Sequence, residues 1–160
     1  MKRYPITLTV NGEKTTLEVP PNRTLLQLLK GDIHADSVKE GCGIGECGAC
    51  TVILDGQPVN SCLVLAVEAD GAEIRTAEGE GHDELSDLQN ALIDFGGIQC
   101  GFCTPGMLAS ARALLDRNDN PSRDEIIEAL AGNYCRCTGY EPIINAILAA
   151  AAERRSAKSA

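Results

Sequence analysis

The first stretch of the chain alternates between apolar and polar positions. Ile6, Leu8 and Val10 stand on either side of Thr7 and Thr9, the period-two pattern of a strand with one buried face. Asn11-Gly12 comes next, a strong hairpin signal, so Glu13 to Val19 is predicted to return with Leu17 and Val19 on one face. Pro20-Pro21 stops that strand. Thr24-Leu25-Leu26-Gln27 has the form of a capping box and opens a short helix through Lys30. A glycine- and cysteine-rich loop runs from Gly41 to Cys50. Thr51 to Leu54 then reads as a strand, Asp55-Gly56 turns the chain back towards Val59, and Glu73 to Thr76 makes a last strand. These pieces predict a compact α+β unit of about 75 residues, an ordinary size for a small domain.

After Glu78-Gly79-Glu80-Gly81, a polar joint, the spacing becomes helical. Leu85, Leu88, Leu92 and Phe95 fall at helical intervals. Thr104-Pro105 supplies an N-cap and a first-turn proline for a helix carrying Met107, Leu108, Ala111, Leu114 and Leu115. Ser122-Arg123-Asp124-Glu125 is a capping box ahead of Ile126, Ile127 and Leu130, with Gly132 as the stop. Pro142 opens a fourth helix with Ile143, Ile144, Ile147 and Leu148, and the tail from Glu153 to Ala160 reads as frayed. The expected organisation is residues 1–78 as one domain and 82–155 as a four-helix second domain. No repeat of fixed period is visible.

Composition narrows the function. The 160 residues are 44% hydrophobic and 23% charged, a globular balance. No run approaches the roughly 20 apolar residues of a spanning helix. The start Met1-Lys2-Arg3-Tyr4-Pro5 has neither an apolar signal segment nor a twin-arginine pair, so a cytoplasmic location is expected, with no membrane partner. A net charge of −9 without a basic cluster argues against nucleic acid as a partner. Aromatics at 3%, with no Trp, argue against base stacking.

Eight cysteines stand out, with only His34 and His82 as other soft ligands, so any metal site here is almost wholly sulfur. In a reducing compartment clustered cysteines more often hold metal than form disulfides. Cys42, Cys47 and Cys50 form C-x4-C-x2-C with Cys62 further on, the plant-type [2Fe–2S] spacing. Four thiolates, two ferric ions and two sulfides carry a formal charge of about −2, and that anion needs donors. Between Gly41 and Cys50 the backbone N–H groups can supply them, because the glycines admit positive φ and let the main chain wrap the sulfurs. Structural zinc more often shows paired C-x2-C spacings and is the competing reading. Gly43-Ile44-Gly45-Glu46-Cys47-Gly48 also matches G-x-G-x-x-G, but no clear strand precedes it, so a dinucleotide site is rejected.

Cys100-Gly101-Phe102-Cys103 and Cys135-Arg136-Cys137 form C-x2-C and C-x-C pairs, each just ahead of a predicted helix whose N-terminus favours an anion. Spacing alone leaves this second set open between zinc and a second cluster. The neighbouring cluster site favours the cluster, because two together make an electron relay.

Three stretches carry a family likeness: Gly41-Cys42-Gly43-Ile44-Gly45-Glu46-Cys47-Gly48-Ala49-Cys50-Thr51, Gln99-Cys100-Gly101-Phe102-Cys103-Thr104-Pro105-Gly106, and Gly132-Asn133-Tyr134-Cys135-Arg136-Cys137-Thr138-Gly139-Tyr140. In this order they resemble the small iron–sulfur subunit of the molybdenum hydroxylases, the xanthine dehydrogenase, aldehyde oxidoreductase and carbon monoxide dehydrogenase family. The likeness runs from about Thr7 to Ala150. It implies an α+β chain: a β-grasp, ferredoxin-like domain, then a four-helix [2Fe–2S] domain. It assigns Cys42, Cys47, Cys50 and Cys62 to an outer cluster facing an FAD-binding medium subunit. It assigns Cys100, Cys103, Cys135 and Cys137 to an inner cluster facing a molybdopterin-binding large subunit, with Gln99 and Cys137 also contacting the pterin. Gly31 to Asp36 departs from the family pattern ahead of the first cysteine, and His34 there is expected to be a solvated loop residue.

The chain shows no nucleophile–base pair and no catalytic residue of its own, so the organic chemistry belongs to cofactors on partners. The resemblance implies single electrons passing from molybdenum through two clusters to FAD during hydroxylation of a purine or other N-heteroaromatic substrate. It also implies a hetero-oligomer, with a dimer of heterotrimers as one form. The same role in an aldehyde or carbon monoxide dehydrogenase, a stand-alone ferredoxin-type carrier, and a zinc-stabilised interaction module are the alternatives.

Overall fold

The computed structural model describes residues 2–81 and 84–159. His82, and the predicted start of the second domain at residue 82, lie outside the described residues. Among the described residues no helix is long and apolar enough to cross a membrane.

The hairpin forms where the alternation placed it. Strand β1 (Tyr4–Val10) pairs antiparallel with β2 (Glu13–Val19), from Tyr4 opposite Val19 to Val10 opposite Glu13. Asn11 and Gly12 both take positive φ at the turn. Helix α1 (Leu25–Gly31) begins with the predicted capping box: the Thr24 hydroxyl accepts from Gln27 N and the Gln27 side chain accepts from Thr24 N. Leu25, Leu26, Leu28 and Leu29 are buried against Ile6, Leu8 and Val10. Each such leucine contributes about 1.5–3 kcal/mol by leaving water.

Strands β3 (Thr51–Leu54), β4 (Gln57–Asn60) and β5 (Glu73–Arg75) complete a five-stranded sheet ordered β2-β1-β5-β3-β4. β5 runs parallel to β1 and antiparallel to β3, so the sheet is mixed. Short 3₁₀ turns at Ser61–Leu63, Ala66–Ala69 and Ala77–Gly79, which the sequence pattern did not predict, fill the long connection and the joint.

Four helices follow, as predicted: α2 (Asp87–Asp94), α3 (Thr104–Arg117), α4 (Arg123–Ala129) and α5 (Glu141–Ser159). Their core gathers Leu88, Met107, Leu115, Ile126, Ile143 and Ile147. The predicted ends need four corrections. Leu85 and Phe95 flank α2 rather than lining it, because Ser86 and Gln89 form the capping box and Phe95 is the C-cap; both flanking side chains are exposed. Thr104 is the first helical residue, since the Cys103 carbonyl already accepts from Met107 N and Cys103 takes the cap position. α4 ends at Ala129 with Leu130 as C-cap, ahead of Gly132. Finally, α5 continues through the tail predicted to fray. Arg155 Nη1 donates to the Asp119 carbonyl at 2.9 Å, Lys158 pairs with the Asp119 carboxylate at 3.0 Å, and Arg154 reaches Asp116 at 3.5 Å.

The sheet and the helices meet through α3, which lies on β3 with Ile53 packed against Ala109 and Ala113. Arg112 of α3, only 7% exposed, is held between Glu80 of the joint and Asp87 of α2. Burial opposes ionisation of Asp87, but the Arg112 guanidinium, with Arg154 beyond it, keeps its carboxyl below the usual range.

Candidate functional site

The Gly41–Cys50 loop crosses between α1 and β3 without regular structure, and no helix follows Gly43–Gly48, in keeping with its rejection as a dinucleotide site. Its main chain turns inwards on sulfur. The Cys42 Sγ accepts from Ile44 N at 3.4 Å, Glu46 N at 3.3 Å and Cys47 N at 3.4 Å. Those N–H donors, Ile44 first, lower the Cys42 thiol to about 6. Asn60 Nδ2 donates to the Gly45 carbonyl at 2.8 Å and ties the loop to the end of β4. The 3₁₀ turn after β4 delivers Cys62, and Ser61 Oγ donates to the Cys50 carbonyl at 2.8 Å. Burial, followed by the neighbouring Cys50 thiol, pushes Cys62 up to about 11. The four thiols are thus gathered closely enough to influence one another's ionisation, Cys47 acting on Cys42, and both Cys50 and Cys42 on Cys62.

The second set is assembled from two distant segments. Cys100 and Cys103 lead into α3, while Cys135 and Cys137 lie on the turn between α4 and α5. Here too the thiols influence one another across the two segments, Cys135 and Cys100 acting on both Cys103 and Cys137. Burial, then the Cys135 thiol, pushes Cys103 up to about 12. For Cys135 burial acts upward, but hydrogen bonds from the Thr138 hydroxyl and N–H outweigh it and bring the thiol to about 7. The hydrogen bond with Cys100 holds Cys137 above its ordinary value. Cys100 and Cys137 are exposed, and Gln99 is an exposed residue beside them. His34 is an exposed loop residue at φ 60°, on the rim of a polar recess lined by no cysteine.

All eight cysteines are unbridged. Among the described residues no group of three or more His, Cys, Asp or Glu side chains is set to hold a metal ion. Four thiols gathered in each set are what a binuclear group needs, two for each metal, and the donors aimed at Cys42 and Cys135 suit an anionic one. The residues present thus fit a [2Fe–2S] group in each set.

The two sites are joined by a contact that sequence reasoning missed. Tyr134 N donates to the Cys47 carbonyl at 2.9 Å. Asn133, buried, donates from Nδ2 to the Gly48 carbonyl at 3.0 Å and to Thr51 Oγ1 at 3.1 Å, and its Oδ1 accepts from Ser110 Oγ at 2.6 Å. Gly48, at φ +68°, must lack a side chain here. A Cβ there would stand 2.2 Å from the Gly132 carbonyl oxygen. Nothing in the local pattern around Asn133 announces this role, because its partners Gly48, Thr51 and Ser110 all lie far off in the sequence. Exposed apolar side chains flank both sites: Ile44 and Leu63 at the first, and Phe95, Ile98 and Phe102 at the second.

Comparison with known proteins finds two matching models along the chain. A 2Fe-2S iron-sulfur cluster binding domain model matches residues 8–73, and a [2Fe-2S] binding domain model matches residues 76–148. The chain is 49% identical over 148 residues to the nicotinate dehydrogenase small FeS subunit of Eubacterium barkeri, covering 92% of this chain and 94% of that one. It is 47% identical to the xanthine dehydrogenase iron-sulfur-binding subunit of Escherichia coli O157:H7, covering 89% and 91%. A chain of the crystal structure of quinoline 2-oxidoreductase from Pseudomonas putida 86 superposes with a TM-score of 0.92 at 44% identity, covering 98% of each. The chain has two [2Fe–2S]-binding domains and belongs to the small iron–sulfur subunits of the molybdenum hydroxylases.

Proposed function

We propose that Cys42, Cys47, Cys50 and Cys62 hold one [2Fe–2S] cluster and Cys100, Cys103, Cys135 and Cys137 the other. On this reading the chain relays single electrons from a molybdopterin-bearing large subunit to an FAD-bearing medium subunit. The observation that carries the reading is that N–H and O–H donors converge on a cysteine sulfur in each set, Cys42 in the first and Cys135 in the second, within the two stretches that 2Fe-2S domain models match. When bound, each cluster supplies a one-electron couple.

The chain's own residues position and tune that couple. Main-chain N–H groups at Ile44, Glu46 and Cys47 face the Cys42 sulfur and stabilise negative charge there. The Tyr134 N–H bonded to the Cys47 carbonyl makes a short bridge from one ligand loop to the residue before Cys135. Gln99 and Cys137, both exposed at the second site, are assigned to the pterin contact. The apolar residues around each site are faces for partners: Phe95, Ile98 and Phe102 for the large subunit, Ile44 and Leu63 for the medium one. The assembly is a cytoplasmic hetero-oligomer, with a dimer of heterotrimers as the proposed form. The relatives named for nicotinate, xanthine and quinoline support an N-heteroaromatic substrate hydroxylated on the large subunit.

Native purification under anaerobic conditions tests this. The expected result is co-purification of flavin and molybdenum subunits, about four iron and four acid-labile sulfide per chain, and two paramagnetic signals on reduction. Cys62→Ser should remove one signal and Cys135→Ser the other. A colourless zinc protein, or a coloured monomer without partners, overturns the reading.

A further inference from the structure

The turn that carries Cys135 closes on itself through three hydrogen bonds in a ring. Cys135 N donates to the Tyr140 hydroxyl at 2.9 Å. Tyr140 N donates to Thr138 Oγ1 at 3.2 Å. Thr138 Oγ1 lies 3.2 Å from Cys135 Sγ, and Thr138 N donates to the same sulfur at 3.5 Å. Because Thr138 Oγ1 already accepts from Tyr140, its own proton is directed to the sulfur. The ring rests on the helical core through Cys135, Cys103 and Tyr140, so the hydroxyl has little freedom to turn away.

Tyr140 shows that this geometry is maintained against resistance. It sits at φ 69°, directly after Gly139 at φ 70°. A left-handed backbone is unfavourable for a large side chain and persists where the surroundings require it. What tyrosine supplies that glycine would not is the hydroxyl that accepts from Cys135 N. At the first site the hydrogen bonds to the Cys42 sulfur come instead from the main-chain N–H groups of Ile44, Glu46 and Cys47.

We propose that the Thr138 hydroxyl sets the reduction potential of the second cluster by hydrogen-bonding the Cys135 sulfur, with Tyr140 as the positioning residue that aims it. The extra electron of the reduced form raises the negative charge on the sulfur, so a donor there stabilises the reduced form over the oxidised one and raises the potential. The inference rests on the reading of Cys135 as a cluster ligand.

The test is an EPR-monitored redox titration of the intact complex. Thr138→Val should lower the midpoint of the second signal so that, at fixed ambient potential, the reduced-to-oxidised ratio falls about tenfold, equivalent to about 59 mV for a one-electron couple. Thr138→Ser should restore it, and Tyr140→Phe should give a smaller shift in the same direction. The first signal should keep its midpoint throughout. In the unmodified complex, brief exposure to D2O should introduce a fast-exchanging deuteron coupling to the second signal, visible by ENDOR, and that measurement stands if Thr138→Val fails to load. A Thr138→Val midpoint equal to that of Thr138→Ser, equal shifts in both signals, or no fast-exchanging coupling overturns the inference. If Cys135→Ser leaves the second signal intact, it is the ligand reading that has failed.

Discussion

Cys42, Cys47 and Cys50 sit on one loop whose own main chain supplies the donors, whereas Cys103 and Cys135 belong to segments that only helix packing brings together. At the first site the donors to the Cys42 sulfur come from the local backbone, and side chains such as Asn60 and Asn133 hold the loop rather than the sulfur. The second depends on a distant fold and on side chains such as Thr138 and Tyr140. A main-chain cradle is hard to alter by mutation, while a side-chain donor is open to adjustment one residue at a time. The second site is therefore where a potential is more readily retuned.

The largest perturbation should come from Gly48→Ala, which strikes both sites at once. The new Cβ meets the Gly132 carbonyl at 2.2 Å on a left-handed backbone, so stability should fall by about 4 kcal/mol in denaturant titrations. Visible absorbance from both sites should decline together. Loss confined to the first site would show that the contact between domains is unimportant.

Arg112→Met separates the sites. It leaves the partly buried carboxylates of Glu80 and Asp87 without their shared cation, at a cost of about 3 kcal/mol. The helical domain should melt earlier and release the second signal first, while the first signal persists to a higher temperature. Simultaneous loss of both would contradict the separation drawn above.

The smallest effect concerns the end of α5. The Lys158 hydrogen bond, with its charge, holds the Asp119 carboxyl below its ordinary value. A carboxylate depressed on folding contributes stability above its unfolded value, about 3.9, and loses that contribution as pH falls through its lower folded value. Asp119→Asn, which removes that carboxylate at neutral pH, should therefore fray the last turn, seen as a slight loss of helical circular dichroism. Neither site's midpoint should change.

The sequence revealed most where a feature was local. The β1–β2 hairpin, the Thr24 capping box and the donors of the Gly41–Cys50 loop all lie within short windows, and each is found as expected. The cysteine spacings announced two sets, yet bringing Cys103 within reach of Cys135 required α3 and α4 to be in place. Leu85 and Phe95 shared a helical interval by coincidence, and the Ser86–Gln89 cap overrode it. The tail was misjudged because the groups that hold it, Asp116 and Asp119, lie beyond the reach of any local pattern. Thr138 and Tyr140 were present in a recognisable motif, but a ring of hydrogen bonds is a property of shape, and spacing does not encode it.

The Asn133 clasp on Gly48 and Thr51 bears on how such a chain can be cut or inherited. Severed at the joint, the front half would keep its ferredoxin shape but leave the Cys47 carbonyl without its Tyr134 donor and the Gly48 carbonyl with Thr51 alone, beside an uncovered Ile53. An engineer wanting that half as a separate module would have to resurface this seam first, and gene rearrangements are expected to carry the two halves together.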